Sequence, residues 1–364
     1  MKICFFVADI TFKGGIERVL SNLTEGLLAI QPDLDLTIVS QYRTFDTPNY
    51  PFNPKVKIDY LTEQKYADAP GSLKRIVRHM RNIKNIRRYF KNKDFDVISI
   101  QSFPNVFLFK AAGLDSSKVI AVEHVYWQYY SKPLLFIRKQ VYKHIPLISV
   151  LTDRDYLYFN QWHPDVVRIP NPIDVSNPFK SELKSKDVIA VGRLEDEKNF
   201  SALIDAFTNV AQKNTDWRLH IYGEGTLKEA LQSQIVTHSM EPNIILEGTS
   251  DNIDEEMRKC SFLVMSSKLE GFGMVLVEAM RNGLPCVSFD CPAGPSNIIT
   301  DGVDGLLVEN QNKEKLAAAI QLMISNPDKR IEMGANALEK VKAFDSKYIA
   351  SQWLDVFNQF TLGN

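Results

Sequence analysis

Apolar and β-branched residues gather in short runs along this chain, separated by stretches in which apolar and polar positions keep a helical spacing. In the first half the short runs predict strands over Ile3 to Ala8, Leu36 to Ser40, Val56 to Tyr60, Val97 to Gln101, Val119 to Val122, Leu147 to Val150 and Val166 to Ile169. In the second half they predict strands over Asp187 to Val191, Arg218 to Tyr222, Ile244 to Glu247, Phe262 to Met265, Pro285 to Phe289 and Gly305 to Val308. Strand and helix alternating from end to end imply parallel sheets covered by helices. The closing segments, Pro327 to Ala343 and Ser346 to Phe360, read as helices.

A chain of 364 residues is long for one core, so two domains are expected. Between the two sets of strands lies Pro170-Asn-Pro-Ile-Asp-Val-Ser-Asn-Pro-Phe179, whose three prolines exclude a helix and favour an extended linker. That places a first domain at residues 1–170, a second at 171–345 and a final helix at 346–364. Two open α/β sheets bind ligands at the carboxyl ends of their strands, so a cleft between the domains is the expected site.

Charge sharpens this division. Residues 1–180 hold 25 Lys and Arg against 17 Asp and Glu, a net of +8, and residues 181–364 hold 18 against 27, a net of −9. Much of the first excess lies in Leu73 to Phe90, where Leu73, Ile76, Val77, Met80, Ile83, Ile86 and Phe90 keep a helical period. Such a helix is expected to pack its apolar stripe on the protein and to turn Arg75, Arg78, Arg81, Lys84, Arg87, Arg88 and Lys91 toward anionic lipid or a lipid pyrophosphate. A solvated surface helix is the plainer alternative. No apolar run reaches the roughly 18 residues that span a bilayer, and Lys2 precedes a short strand-like run instead of a signal-peptide core, so a cytoplasmic location is expected. Cys4, Cys260, Cys286 and Cys291 form no C-x-x-C pair and read as buried free thiols, not disulfides or metal ligands.

The richest segment is Glu270-Gly-Phe-Gly-Met-Val-Leu-Val-Glu278. Gly271 and Gly273 bracket Phe272 where a helix begins, and the unpaired N–H groups of such a start attract phosphate. A carboxylate accepts from two neighbouring hydroxyls, so Glu278 suits a ribose diol and Glu270 a hydroxyl of a transferred sugar. The competing reading is an ordinary amphipathic helix with Val275, Leu276 and Ala279 in the core. Upstream, Val191-Gly-Arg-Leu-Glu-Asp-Glu-Lys-Asn199 follows a predicted strand: Gly192 permits a tight turn, Arg193 can grip phosphate oxygens through two hydrogen bonds and Lys198 adds a mobile charge. Near the start, Thr11-Phe-Lys-Gly-Gly-Ile-Glu-Arg18 opens a helix, and Gly14 and Gly15 can bring N–H groups against an anion. The three-glycine dinucleotide fingerprint is absent.

These elements resemble, in order, the E-x7-E, G-R-x(4)-K-N and G-G-x-E-R motifs of the retaining glycosyltransferases of family 4. The resemblance implies the GT-B fold, two Rossmann-like doubly wound parallel-sheet α/β domains, with the last helix crossing back to the first domain. It implies that Arg193, Lys198 and the N–H groups near Gly273, Met274 and Val275 bind the donor diphosphate, with Gly14, Gly15, Gly271, Phe272 and Glu278 also on the donor. It matches His124, after the run Val119 to Val122, to a histidine beside the transferred sugar, and puts the base near Gly223 and Gly248. The run Cys291-Pro-Ala-Gly-Pro295 looks like that of bacterial polysaccharide transferases using UDP-hexoses.

The implied reaction moves a hexosyl group from a nucleotide sugar, with UDP-hexose or UDP-N-acetylhexosamine favoured, to a glycan or lipid-linked saccharide in surface polysaccharide assembly, retaining the anomeric configuration. Glu270, Arg193, Lys198 and His124 are the catalytic candidates. No metal ion, cofactor or nucleic-acid partner is implied, and peripheral association with the inner face of the cell membrane is expected. Glu270 and Glu278, on the order of 10 Å apart along a helix, are too far separated for the carboxyl pair of a retaining glycosidase. Domain closure about Asn171 to Phe179 is expected to exclude water. A sugar-nucleotide epimerase of the same architecture and a non-catalytic nucleotide-sugar scaffold are the alternatives.

Overall fold

The computed structural model describes residues 1–66, 73–176 and 179–362, with the side chains of Arg75 and Ile76 outside that description. Asn177 and Pro178 of the proline-rich segment are outside it as well. The chain forms two compact units, the first of Met1–Ile173 and Asp345–Asn364, the second of Asp174–Phe344.

In chain order the first unit contains β1 (Lys2–Val7), α1 (Gly15–Ile30), β2 (Asp35–Ser40), β3 (Lys57–Tyr60), α2 (Leu73–Lys91), β4 (Val97–Gln101), α3 (Phe103–Ala111), β5 (Val119–Val122), α4 (Lys132–Tyr142), β6 (Leu147–Val150), α5 (Asp153–Asn160) and β7 (Val166–Arg168). The strands lie in the order β3-β2-β1-β4-β5-β6-β7, all parallel. Helices cover both faces, so the central strand β1 is apolar from Ile3 onward: Ile3, Cys4, Phe5 and Phe6 are all fully buried. On one face α2 to α5 contribute Ile86, Phe90, Phe103, Phe109, Tyr142 and Phe159 to a core. On the other, Leu20, Leu23 and Leu27 of α1 meet Ile349, Trp353 and Phe357.

Those last three residues belong to the final helix of the chain, Ser346–Leu362. It joins the first unit where Ser346 N–H donates to the Ile173 carbonyl at 2.9 Å. A Cβ on Gly26 would stand 2.5 Å from the Ser346 carbonyl oxygen, so a glycine in mid-helix is what lets the two helices approach.

The second unit contains β8 (Asp187–Val191), α6 (Phe200–Ala211), β9 (Arg218–Tyr222), α7 (Lys228–Thr237), β10 (Ile244–Gly248), α8 (Ile253–Lys259), β11 (Phe262–Met265), α9 (Met274–Arg281), β12 (Cys286–Phe289), α10 (Pro295–Ile298), β13 (Gly305–Val308), α11 (Lys313–Ser325) and α12 (Pro327–Lys340). The helix already met at the chain's end is α13. Its sheet runs β10-β9-β8-β11-β12-β13, again all parallel. Each sheet reverses its strand order once, between β1 and β4 and between β8 and β11. At such reversals the loops leaving two neighbouring strands part to opposite faces and open a crevice at the strands' carboxyl ends.

The expected strands are present, with ends displaced by a single residue at six of them. The short α10 was not anticipated, because the Pro292, Gly294 and Pro295 around its start read as loop. The apolar stripe of α2 is corrected more substantially. Ile86 and Phe90 are buried, yet Leu73, Val77 and Met80 are exposed, so only the carboxyl-terminal half of the stripe packs on the protein. All four cysteines are buried free thiols.

Candidate functional site

At the β8/β11 reversal the two loops meet through a lysine and a glutamate. After β8 the chain makes a 3-10 turn over Asp196–Lys198, and Asn199 closes it in the left-handed region, φ 53, which asparagine tolerates better than most residues. Ser266 Oγ, just past β11, donates to the Lys198 carbonyl at 2.9 Å, and Lys268 N–H donates to the Glu197 carbonyl at 2.9 Å. These bonds lock the loops together. Lys198 Nζ then donates to Glu270 Oε1 at 2.6 Å, and Ser267 Oγ donates to the same oxygen at 2.6 Å. Glu270 Oε2 accepts no hydrogen bond from a described residue. The arrangement therefore fixes one carboxylate oxygen and leaves the other for an incoming donor group.

Glu270 lies in the turn before α9 and Glu278 inside the helix, as the glycine-bracketed start implies; only the measurement of their spacing along one continuous helix is corrected. Gly273 caps α9 at φ 96, a conformation that favours glycine, and the first N–H groups of α9, those of Met274 and Val275 among them, have no intrahelical acceptor. The Phe272 side chain is buried edge-on to Phe344 at 5.8 Å, so this residue anchors the turn and its ring is not a donor contact. Glu278 is buried on the first turns of α9.

Arg193 does not join Lys198. Its guanidinium pairs with Glu197, four residues on, and is largely exposed. A cation held by a near neighbour in sequence is the ordinary outcome at a turn and hides nothing from the ligand, because such a pair is weak in water.

Gly223 turns out to be a packing residue, while Gly248 stands at φ 76 with only the Glu224 carboxylate, 3.2 Å away, near a Cβ position. A Cβ on Gly223 would lie 1.8 Å from the Gly192 carbonyl oxygen, and the Gly223 N–H already donates to the Gly248 carbonyl at 2.7 Å. That N–H is not available to a nucleotide base. Gly294 acts similarly: at φ 104, with a Cβ position 2.1 Å from the Phe272 carbonyl oxygen, it seats the loop after β12 against the Gly271–Gly273 turn.

In the first unit the strand ends carry a different set of groups. His124 follows β5, and its Nε2 lies 2.8 Å from Gln101 Oε1 at the end of β4. Gln101 Nε2 donates to the Ser99 carbonyl and hydroxyl, which orients its oxygen to the histidine. Nε2 thus carries the proton, and Nδ1 is left as an acceptor. Burial pushes the His124 pKa down to about 4, so the ring is neutral. Behind it, Glu123 is buried with Arg138 at 3.7 Å and accepts from the Tyr142 hydroxyl; burial raises the Glu123 pKa, opposed by Arg138 and then Tyr142.

Gly14 caps α1, and Glu17 folds its carboxylate back over Gly14: a Cβ there would meet Glu17 Oε2 at 2.4 Å. Gly15 has open space at its Cβ position. Burial raises the Glu17 pKa to about 7, its own backbone N–H opposing and Asp9 adding to the rise. Asp9 itself accepts from Thr11 N at 2.9 Å, Thr11 Oγ1 at 2.6 Å, Thr44 N at 2.9 Å and Thr44 Oγ1 at 2.6 Å.

On α2, Arg81, Lys84, Arg87, Arg88 and Lys91 are exposed and Arg78 donates to the Lys65 carbonyl, while the side chain of Arg75 lies outside the described residues. Sequence reasoning passed over Ser266, Ser267, Glu197, Gln101 and Arg138. Serines after a strand carry no pattern of their own, and a buried arginine on a basic helix looks like its solvated neighbours.

Two family descriptions match: "Glycosyltransferase Family 4" over residues 13–177 and "Glycosyl transferases group 1" over residues 174–340. An amylovoran biosynthesis glycosyltransferase of Erwinia amylovora is 28% identical over 98% of this chain and 99% of its own length. A Campylobacter jejuni N-acetyl-D-galactosaminyltransferase acting on a diNAcBac-PP-undecaprenol-linked saccharide is 25% identical over 97% of each chain. Among solved structures, Staphylococcus aureus TarM with fondaparinux, α-GlcNAc-glycerol and UDP aligns over 98% of this chain and 99% of that one, at 18% identity and a TM-score of 0.79.

Proposed function

The chain belongs to the family 4 glycosyltransferases of GT-B fold, and from that premise we propose that it moves a hexosyl group from a UDP-sugar to a hydroxyl of a glycan or lipid-linked saccharide, retaining the anomeric configuration. The observation that carries this reading is the Lys198–Glu270 pair at the β8/β11 reversal, 2.6 Å long and immediately before the open end of α9. UDP is favoured by the nucleotide in the TarM structure, and a lipid-linked acceptor by the activity of the Campylobacter relative.

As the bond from anomeric carbon to phosphate oxygen stretches, negative charge grows on the leaving diphosphate. Lys198 and the N–H groups of Gly273, Met274 and Val275 stabilise that charge, and a fixed cation and helix end cost no reorganisation when it appears. Arg193 contributes once it leaves Glu197. Metal is dispensable on this reading, and turnover is expected to persist in chelator. Glu270 Oε2 accepts from a sugar hydroxyl, with Ser267 and Lys198 holding the other oxygen. The leaving phosphate oxygen takes the acceptor proton on the same face of the sugar, which gives retention. His124 Nδ1 accepts a sugar hydroxyl and is too weakly basic to serve as the general base. The exposed cations of α2 meet the anionic lipid or pyrophosphate of the acceptor.

The test is incubation with UDP-hexoses and UDP-N-acetylhexosamines, with and without lipid-linked acceptors. Nucleotide release and a product heavier by one hexosyl unit, both requiring acceptor, are expected, with the new linkage keeping the donor's anomeric configuration by NMR. Conversion of donor alone to another sugar nucleotide identifies an epimerase instead, and UDP binding without turnover identifies a scaffold.

A further inference from the structure

Aliphatic and aromatic side chains stand in water on α4 and the loop before it. Phe136 is 66% exposed, Tyr129 52%, Leu134 43% and Ile137 38%. Four large apolar groups so close in sequence exceed the scattered exposure of an ordinary surface and mark a place where something is covered. Lys132 and Lys143 are exposed on the same element and its end, and Lys139 Nζ sits 5.2 Å from the Trp162 ring centroid. From His124 to Thr152 the chain has no Asp or Glu, and neither α2 nor α3 has one.

The helices α2, α3 and α4 lie side by side on one face of the first sheet, sharing a core of Ile86, Phe90, Phe103, Phe109 and Tyr142. The exposed apolar half of α2, with Leu73, Val77 and Met80, is therefore part of the same layer as Phe136. Beneath α4 the attachment is rigid. Arg138 NH2 donates to the Trp127 carbonyl at 2.7 Å, Trp127 N–H donates to Asp155 Oδ1 at 3.0 Å, and the Trp127 ring stacks on Tyr158 at 3.9 Å. The loop that carries His124 to α4 is thus fixed through both backbone groups of one residue.

We propose that α4 is an interfacial anchor, seating Phe136, Ile137, Leu134 and Tyr129 among the acyl chains of an anionic membrane with Lys132, Lys139 and Lys143 at the headgroups. Lysines whose stems lie along apolar surface and whose ammonium groups reach phosphate are suited to that boundary, and α2, α3 and α4, which carry no carboxylate, meet anionic lipid with little repulsion. A second copy of this chain would bring the same cations against themselves, which argues against self-association through this face. The anchor extends the lipid-linked acceptor proposed above, since it holds the His124 loop beside the surface where such an acceptor resides. It assigns the apolar insertion to α4 and leaves α2 mainly an electrostatic part.

The four native cysteines are buried, so a single introduced thiol takes an environment-sensitive fluorophore selectively. Phe136→Cys tests the anchor, and Tyr348→Cys on α13, across the sheet, is the control. With vesicles of about one-third phosphatidylglycerol in phosphatidylcholine, the label at 136 is expected to shift to the blue and brighten while that at 348 is unchanged. In co-sedimentation of the unlabelled protein, Leu134→Ser with Phe136→Ser lowers partitioning at least about tenfold, as expected for two large apolar groups no longer buried. An unaltered spectrum at 136, an equal shift at 348, or a shift without lipid that tracks dimer formation overturns the proposal. UDP binding is measured on the same samples: its absence in the wild-type protein counts against the transferase reading, and its presence with no vesicle response counts against the anchor alone.

Discussion

The two strand-order reversals of this molecule share a topology and differ in what they do with charge. At β8/β11 the Lys198–Glu270 pair is assembled with one carboxylate oxygen open and the N–H groups of α9 beside it. Around β1/β4 charge is used up internally: Asp9 is saturated by four hydrogen bonds from its own and a neighbouring loop, Glu17 is pushed toward its neutral form, and His124 is neutral. One fold thus places a fixed charge pair beside an open helix end at one set of strand ends and neutral, hydrogen-bonding groups at the other. The architecture positions a site at the strand ends, and the loop residues decide what that site can stabilise.

The contrast breaks most visibly if Lys198 is removed. Lys198→Ala is expected to lower kcat for transfer by about 10²- to 10³-fold, the scale of losing one preorganised transition-state donor. Steady-state kinetics with UDP release as readout checks it, and a loss confined to KM would contradict it. Next in size is the buried pair in the first unit. Arg138→Met leaves Glu123 without its counter-ion and is expected to cost about 3–5 kcal/mol in denaturant unfolding. Replacing Glu123 by Gln at the same time should recover part of that loss.

The protonation asymmetry gives a pH test. Glu17 has a folded pKa of about 7 against an ordinary value of 4.5, so its contribution to stability is fully present below about pH 4.5 and is lost as pH rises through about 7. His124, at about 4 against 6.5, contributes above pH 6.5 and loses that contribution as pH falls through about 4. Between these limits the two slopes oppose. Glu17→Gln, which cannot ionise, should therefore gain stability relative to wild type as pH rises from 5 to 8, measured by urea midpoints. A pH-independent difference would show that Glu17 titrates as in water.

The smallest effect concerns Arg193. Glu197→Gln frees the guanidinium from an exposed pair, so the KM for donor is expected to fall by about two- to fivefold, matching the weak coupling of surface ion pairs. A rise in KM would mean that Glu197 orients Arg193 instead of competing for it.

Much of this was legible before the structure, for identifiable reasons. Strands buried on both faces, such as Val119–Val122, are apolar runs with sharp ends, and parallel pairing follows from the helices between them. The glycine-bracketed start of α9 and the lysine after β8 were readable because a helix end and a tight turn each demand particular residues. What stayed hidden depends on direction. Arg193 and Lys198 look equivalent in a string of letters, yet the turn sends one to Glu197 and the other to Glu270. Gly223 reads as a ligand loop and proves to be where two backbones touch. The stripe of α2 has a helical period throughout, but periodicity does not say where the neighbouring core ends, and Leu73, Val77 and Met80 run beyond it. Ser266 needed the β8/β11 adjacency before its hydroxyl had a partner.

The central claim is that Lys198 and the α9 terminus at the β8/β11 reversal hold the donor's diphosphate. Calorimetric titration of UDP and of uridine into the wild-type protein and Lys198→Ala measures that directly. The account predicts that wild type binds UDP far more tightly than uridine and that the substitution removes most of this preference while leaving uridine affinity nearly unchanged. Equal UDP affinity in the two proteins, or a parallel loss of uridine binding, would contradict it.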